Sequence, residues 1–205
     1  DNNELVKATF SLLDKYREKY NLESNEYYFK KLTDKTDRYD PKEIVFVKKL
    51  LQGELREGLR GIIVDELFEK YVRLNERVFS RELYMNIDQI KCMLKNGMRF
   101  GAHGYNHYWL NTLDRDKQEK EIAESANFLK KIGEDASQLV FSYPYGAYDD
   151  ITLDLLKKYN FKLAFSTKSA VADLCEYSYL ELPRLDTNDL PKDRSGNSNQ
   201  WYPLG

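Results

Sequence analysis

The chain has 205 residues, a length that at roughly 150 residues per domain suits one domain or one barrel with enough chain to bury a core. Its 32 Lys and Arg nearly cancel 34 Asp and Glu, and the net charge of −2 excludes the basic footprint that non-specific binding to nucleic acid or to an anionic membrane requires. Aromatic residues reach 14%, with 16 Tyr, far too many large packing groups for a disordered chain, and no apolar run approaches the ~20 residues of a membrane span.

From the amino terminus to about residue 96 the pattern is helical. Leu5, Phe10, Leu12, Leu13 and Tyr16 recur at helical intervals, as do Ile44, Val45, Val47, Leu50 and Leu51, and then Ile63, Leu67, Phe68 and Tyr71. Asp40-Pro41-Lys42-Glu43 reads as an N-cap, a proline at the first helical position and a glutamate three residues after the cap. Asn86-Ile87-Asp88-Gln89 repeats the capping logic, and Asn96-Gly97 supplies a stop. Charged residues such as Glu54, Arg56, Glu57 and Arg60 read as a solvated helix face.

After Gly97 short apolar runs alternate with helices. Met98–Ala102, Leu139–Ser142, Lys162–Ser166 and Tyr179–Leu182 read as strands, and Arg115–Ile132 and Ile151–Tyr159 as the helices between them. That rhythm is α/β: it predicts parallel strands with crossover helices and places functional residues at the strands' carboxyl ends. Residues 192–205, rich in Asn, Ser, Gly and Pro, read as an irregular tail. Cys92 and Cys175 have no C-x-x-C spacing; they read as two buried thiols or as residues of a reducing compartment, and neither as a nucleophile.

Three constellations stand at predicted strand ends. His103 and His107 are the only histidines, and on a helical turn an i, i+4 pair presents two imidazoles to one divalent ion, with Gly101, Ala102 and Gly104 leaving room around the first. In Ser142-Tyr143-Pro144-Tyr145-Gly146-Ala147-Tyr148, Pro144 stiffens the chain and Gly146 permits a sharp turn, so the segment is either an ordinary turn with tyrosines packed at its rim or one that holds the backbone N–H near Tyr145 as a rigid donor to an oxyanion. In Pro183-Arg184-Leu185-Asp186, Arg184 and Asp186 point to the same side of an extended chain and either pair with each other or orient a catalytic group.

Taken together these motifs resemble the polysaccharide deacetylase family, the NodB-homology group of carbohydrate esterases, over about half of the chain, from Gly97 to Pro191. The resemblance implies a distorted (β/α) barrel and a divalent metal, usually zinc, with His103 and His107 as the metal-binding H-x-x-x-H pair. It also implies Tyr145 as the oxyanion donor, and Arg184 or Asp186 as the group that orients the base. Tyr143, Pro144, Tyr145, Gly146 and Trp109 become the expected substrate-binding residues, aromatic faces being suited to the C–H face of a pyranose. The implied reaction is removal of acetyl groups from an N-acetylated sugar of a bacterial surface polysaccharide. On this reading residues 1–96 are a helical insertion or extension of the barrel, 97–191 the βα core and 192–205 the tail.

The departures from the family pattern are specific. No T-F-D-D-G segment, the family's source of catalytic base and carboxylate ligand, occurs, and the one Asp-Asp pair, Asp149-Asp150, reads as a helix cap. Ser142 stands where the family has Arg, and a third histidine for the catalytic acid is absent. Asp186, Asp189 or water would have to complete the metal sphere. The chain opens on Asp1, which reads as an amino-terminally incomplete barrel and a poor catalyst in isolation; no signal peptide is visible, leaving the cytoplasm or the cell envelope as its place. The competing reading is a non-catalytic carbohydrate-binding or scaffold protein on a degenerate deacetylase barrel. Neither a nucleic-acid partner nor a membrane span is expected, and the oligomeric state is open.

Overall fold

The computed structural model describes residues 1–34 and 40–190; the tail expected at 192–205 lies outside them. The chain divides into two units, Asp1–Tyr84 and a second that begins at Met85. Among the described residues no helix is long and apolar enough to cross a membrane.

The first unit is all helical: α1 (Asn2–Tyr20), α2 (Asn25–Thr33), α3 (Lys42–Lys49), which runs into a π-helical turn at Leu50–Glu54, α4 (Glu57–Tyr71) and α5 (Glu76–Leu83). The Asp1 and Ser24 side chains cap α1 and α2 by accepting from backbone N–H groups of their first turns. The expected cap at Asp40 is not made. Pro41 is the N-cap of α3, and the Asp40 carboxylate instead pairs with Lys48 at 2.7 Å. Leu13, Leu50, Leu59 and Ile63 are fully buried, and the rings of Phe10, Phe29 and Phe46 meet edge-on or tilted, 5.2–6.2 Å apart. Tyr71 stays outside this core, its hydroxyl donating to the Glu4 carbonyl. Glu54 is not simply solvated, because it pairs with Lys31.

The second unit is mixed: α6 (Ile87–Lys95), α7 (Arg115–Ile132), β1 (Leu139–Ser142), α8 (Asp150–Lys158) and β2 (Phe161–Phe165). The helix ends are set by local caps. Asn86 and Gln89 close a capping box on α6, and Gly97 beyond its end takes φ +83°. Asp114 caps α7, and Gly133 ends it in the left-handed region. The change of sequence pattern lies at Gly97, yet the unit begins earlier, since Ile90 and Leu94 of α6 pack into the second core with Ile122, Leu129, Phe141, Leu155 and Phe161.

β1 and β2 pair in parallel, Phe141 opposite Ala164 and Ser142 opposite Phe165. Of the four expected strands these two form. The flanking segments contribute one parallel bridge each, Ala102 to Phe141 and Leu182 to Phe165. Their shortness has a local cause. The Phe100 N–H and the Arg99 guanidinium are both taken by the buried Glu134 carboxylate, and the Leu180 and Glu181 N–H groups turn back onto Ser178. Backbone donors committed to side chains and turns are lost to a ladder. The order across the sheet is nonetheless consecutive and parallel: the 102 segment, β1, β2, the 182 segment. The chain therefore leaves this edge at His103, Tyr143, Ser166 and Pro183, all on one side of the sheet.

Both cysteines are free and exposed rather than buried. Asp149 caps α8 as its position suggested: Oδ1 accepts from the Thr152 N–H at 2.9 Å and Oδ2 from the Gln118 amide at 3.2 Å. Burial pushes this carboxyl up, but the Thr152 and Gln118 donors outweigh it and hold it below the ordinary carboxylate range. A depressed folded-state value gives stability that is present above the unfolded-state pKa and lost as the pH falls through the folded one. Asp149→Ala is therefore expected to cost about 1 kcal/mol at neutral pH, read as faster hydrogen exchange of the α8 amides. The gap to the wild-type chain should narrow below about pH 4, and an undiminished gap at pH 3 would contradict the charged cap.

Candidate active site

The two histidines meet, though not on a helix. Residues 103–109 form an irregular loop in which Gly104 and His107 take φ +76° and +59°, and this left-handed path folds the second imidazole back onto the first. Their Nε2 atoms lie 3.1 Å apart and their rings 4.7 Å. His103 Nδ1 is 2.7 Å from the Ser142 carbonyl oxygen. A carbonyl only accepts, so Nδ1 carries the proton and the Nε2 lone pair of His103 points at His107. Burial, and secondarily the neighbouring His103, push the His107 imidazole below the ordinary histidine range, favouring the neutral form a ligand needs.

The spacing of the pair suits a divalent metal. Two nitrogens each about 2.0–2.1 Å from a tetrahedral ion stand about 3.3 Å apart, close to the 3.1 Å separation of the pair. Ring nitrogens of neutral imidazoles, one of them with its far nitrogen anchored on a carbonyl, are the donor type that zinc takes. His103 and His107 thus fit two corners of a coordination sphere. Among the described residues no third His, Cys, Asp or Glu joins them. Asp186 and Asp189 are otherwise engaged: Asp186 caps the turn Thr187–Asp189, and the buried Asp189 carboxylate accepts from Ser169 and from the Asp186 N–H.

The Tyr-Pro-Tyr-Gly segment makes a tight turn at Pro144–Gly146, with Tyr145 at φ +58° and Gly146 at φ +72°. The Tyr145 ring lies edge-on to His107 at 4.8 Å and stacks on Trp109 at 4.5 Å with 6° between planes. The structure thereby brings His103, His107, Tyr145 and Trp109 together. Tyr143 does not join them. Its side chain is fully buried, its hydroxyl donates to the Leu180 carbonyl at 2.6 Å, and burial pushes that hydroxyl's pKa far up, so its ring packs beneath the turn instead of facing a ligand. Pro144 is buried as well. Arg184 and Asp186 make no pair: Arg184 Nε donates to the Ser166 carbonyl at 3.1 Å, and Asp186 Oδ1 accepts from Asn188.

Two features were not anticipated from sequence. One is Glu121 of α7, which accepts two hydrogen bonds from Asn106 in the histidine loop. Its signal was present, since it falls on the buried stripe of α7 with Gln118, Ile122, Ser125 and Leu129. The other is a cleft of about 560 Å³ at the carboxyl ends of β1 and β2, lined by Gly146, Tyr148, Thr167, Lys168, Glu176 and Glu181 among others. Tyr148 donates to Glu181 within it. These residues come from two connections, the turn after β1 and the stretch between β2 and the 182 segment, that only the parallel sheet assembles.

The family model described as polysaccharide deacetylase matches residues 63–164. Over this segment, about half of the chain, the sequence is similar to the polysaccharide deacetylase family. It is 26% identical over 89 residues to YxkH of Bacillus subtilis (strain 168), named as a candidate polysaccharide deacetylase; the match covers 43% of this chain and 32% of that protein. Among solved structures it is similar to the Streptococcus pyogenes deacetylase PplD in complex with acetate, at 30% identity and a TM-score of 0.46 over 49% of this chain and 44% of that one. It is also similar to IcaB from Ammonifex degensii, at 25% identity and a TM-score of 0.41 over 49% and 46%. The chain thus spans about a third of the curated relative's length and under half of each of these structures.

The turn beside the histidines depends on a missing side chain. A Cβ on Gly146 would lie 2.1 Å from Thr167 Oγ1 and 3.0 Å from Thr167 Cβ, at a backbone angle that L-residues avoid. Gly146→Ala is expected to destabilise by at least about 1–2 kcal/mol from the left-handed angle alone. Thr167→Ala in the same chain should recover the part due to the clash, measured by chemical denaturation. Wild-type stability of the single variant would contradict the packing described.

Proposed function

We propose that the protein works in the metal-dependent removal of acetyl groups from N-acetylated sugars of a bacterial surface polysaccharide, on a distorted (β/α) barrel of which the consecutive parallel order is a part. The observation that carries this reading is the facing Nε2 pair, with His103 locked by Ser142 into the tautomer that offers its Nε2 lone pair. His103 and His107 would hold the ion, zinc by preference, which supplies Lewis acidity for the acetyl carbonyl.

The remaining roles belong to the chain itself. The Tyr145 N–H has no acceptor among the described residues and sits in a left-handed turn braced by Trp109 and Thr167, so it is assigned as the rigid donor to the developing oxyanion. The Trp109 and Tyr145 rings would pack on the sugar's apolar face beside the acetyl group. The neighbouring cleft, polar and of ligand size, would take an adjoining pyranose through the Thr167, Lys168 and Glu176 side chains. Arg184, which bonds the Ser166 carbonyl, would act by holding the loop after β2.

Zinc titration against a chelator tests the assignment. The chain is expected to take up one zinc ion, and His103→Ala or His107→Ala to weaken uptake by at least a hundredfold while the circular dichroism spectrum stays that of the wild type. Unchanged zinc affinity in either variant would overturn the site. Glycan binding with no zinc uptake would replace this reading with that of a carbohydrate-binding protein.

A further inference from the structure

The histidine loop is held from below by a carboxylate that the proposed chemistry does not use. Glu121 is 3% exposed, and among the described residues no cation pairs with it. Both of its oxygens are spent on one residue: Oε2 accepts from the Asn106 backbone N–H at 2.7 Å and Oε1 from the Asn106 side-chain amide at 2.6 Å. A buried carboxylate without a counter-ion is costly unless hydrogen bonds replace its water, so its use at a core position of α7 calls for a reason beyond packing.

That reason lies one residue along. Asn106 precedes His107, which occupies the left-handed region at φ +59°, a conformation that a free loop would readily leave. Clamping the backbone and the side chain of the preceding residue to a helix removes that freedom. The clamp needs a glycine nearby: a Cβ on Gly104 would come within 3.2 Å of Pro144 Cγ and 3.6 Å of Glu121 Oε2, so the loop passes between α7 on one side and the Tyr145 turn on the other. Ser142 anchors His103 at one end of the H-x-x-x-H span and Glu121 anchors the residue before His107 at the other.

We infer that Glu121 is the positioning residue of the histidine pair, acting through Asn106 to hold His107 Nε2 against His103 Nε2. This rests on reading His103 and His107 as the donor pair for a metal, but it has a consequence that no metal is needed to see. The chain contains two histidines, so a long-range ¹H–¹⁵N spectrum of the metal-free protein shows two imidazoles and nothing else.

Glu121→Gln keeps the shape but turns one acceptor into a donor facing the Asn106 donors. Its His107 imidazole signals are expected to shift and broaden while His103 keeps its Nδ1–H pattern, and zinc affinity to fall about tenfold to a hundredfold, the usual cost of losing a group behind a ligand. Asn106→Asp, an exposed change that sets a second carboxylate against Glu121, is expected to do the same and keeps the proposal testable if the buried change impairs folding. Adding Asn106→Ala to Glu121→Gln should cost little more than Glu121→Gln alone. A purely structural carboxylate would lower stability and leave the imidazole signals and the zinc affinity as they are; that result overturns the proposal. Failure of the wild-type chain to take up zinc removes the metal reading alone, and the imidazole spectra of the variants still decide the positioning role.

Discussion

Everything proposed for this protein depends on the parallel pairing of β1 with a neighbour on each side. On one side the Ala102 N–H donates to the Val140 carbonyl and the Ser142 N–H to the Ala102 carbonyl, both at 2.8 Å; on the other, the Tyr143 N–H donates to the Phe165 carbonyl. Parallel strands have their carboxyl ends at one edge, so this ladder delivers His103 beside Ser142, and Tyr145 beside Thr167, from segments tens of residues apart. Only after that pairing does the Ser142 carbonyl lie within reach of His103 Nδ1. A single bridge at Ala102 therefore does more for the site than its length suggests.

The sheet is small for that task, and buried polar side chains make up the difference. Glu134 takes the Phe100 N–H, Tyr143 donates to the Leu180 carbonyl, and Gln118 joins Leu113, Asp149 and Thr152 across α7 and α8. Each satisfies a group that a longer ladder or a helix turn would otherwise have had to satisfy, and a buried polar group left without a partner costs about 1–3 kcal/mol. The interior of the second unit is thus pinned by directional bonds as well as by apolar packing, which suits a site where ring nitrogens must be placed to within fractions of an ångström.

The same division explains what the sequence disclosed. α7 and α8 were legible to within one residue at each end, and the start and stop of α6 from Asn86 with Gln89 and from Asn96-Gly97, because such signals are local. β1 was legible as a short apolar run between turn residues, and the H-x-x-x-H and Tyr-Pro-Tyr-Gly segments as motifs at strand ends. The segments at 98–102 and 179–182 were read too long: nothing near the first in sequence says that Glu134, over thirty residues on, takes the Phe100 N–H, whereas the turn at Ser178 beside the second competes with the strand locally and composition does not rank the two. Tyr143 was misplaced for a related reason: its alternation with Phe141 on one face of the strand marked it for the core, while the motif drew it toward the site. Asp40 lost its cap to an ion pair with Lys48, a competition between two local options that composition does not rank.

Backbone strain is the feature least visible from sequence and the most concentrated at the site. Of the described non-glycine residues in the left-handed region, His107 and Tyr145 are the two whose rings touch, 4.8 Å apart, and each stands near a left-handed glycine, Gly104 and Gly146. Such residues cost about 1–3 kcal/mol each and persist only where their surroundings over-determine them. Here the surroundings do: Trp109 stacks on Tyr145, Thr167 fills the space beside Gly146, and Glu121 fixes Asn106 before His107. A loop that had only to cover the sheet edge would relax to a cheaper path. That the histidine loop and the Tyr145 turn are each held in a strained conformation, with the ring nitrogens and the Tyr145 N–H at the same edge, supports reading that edge as a site.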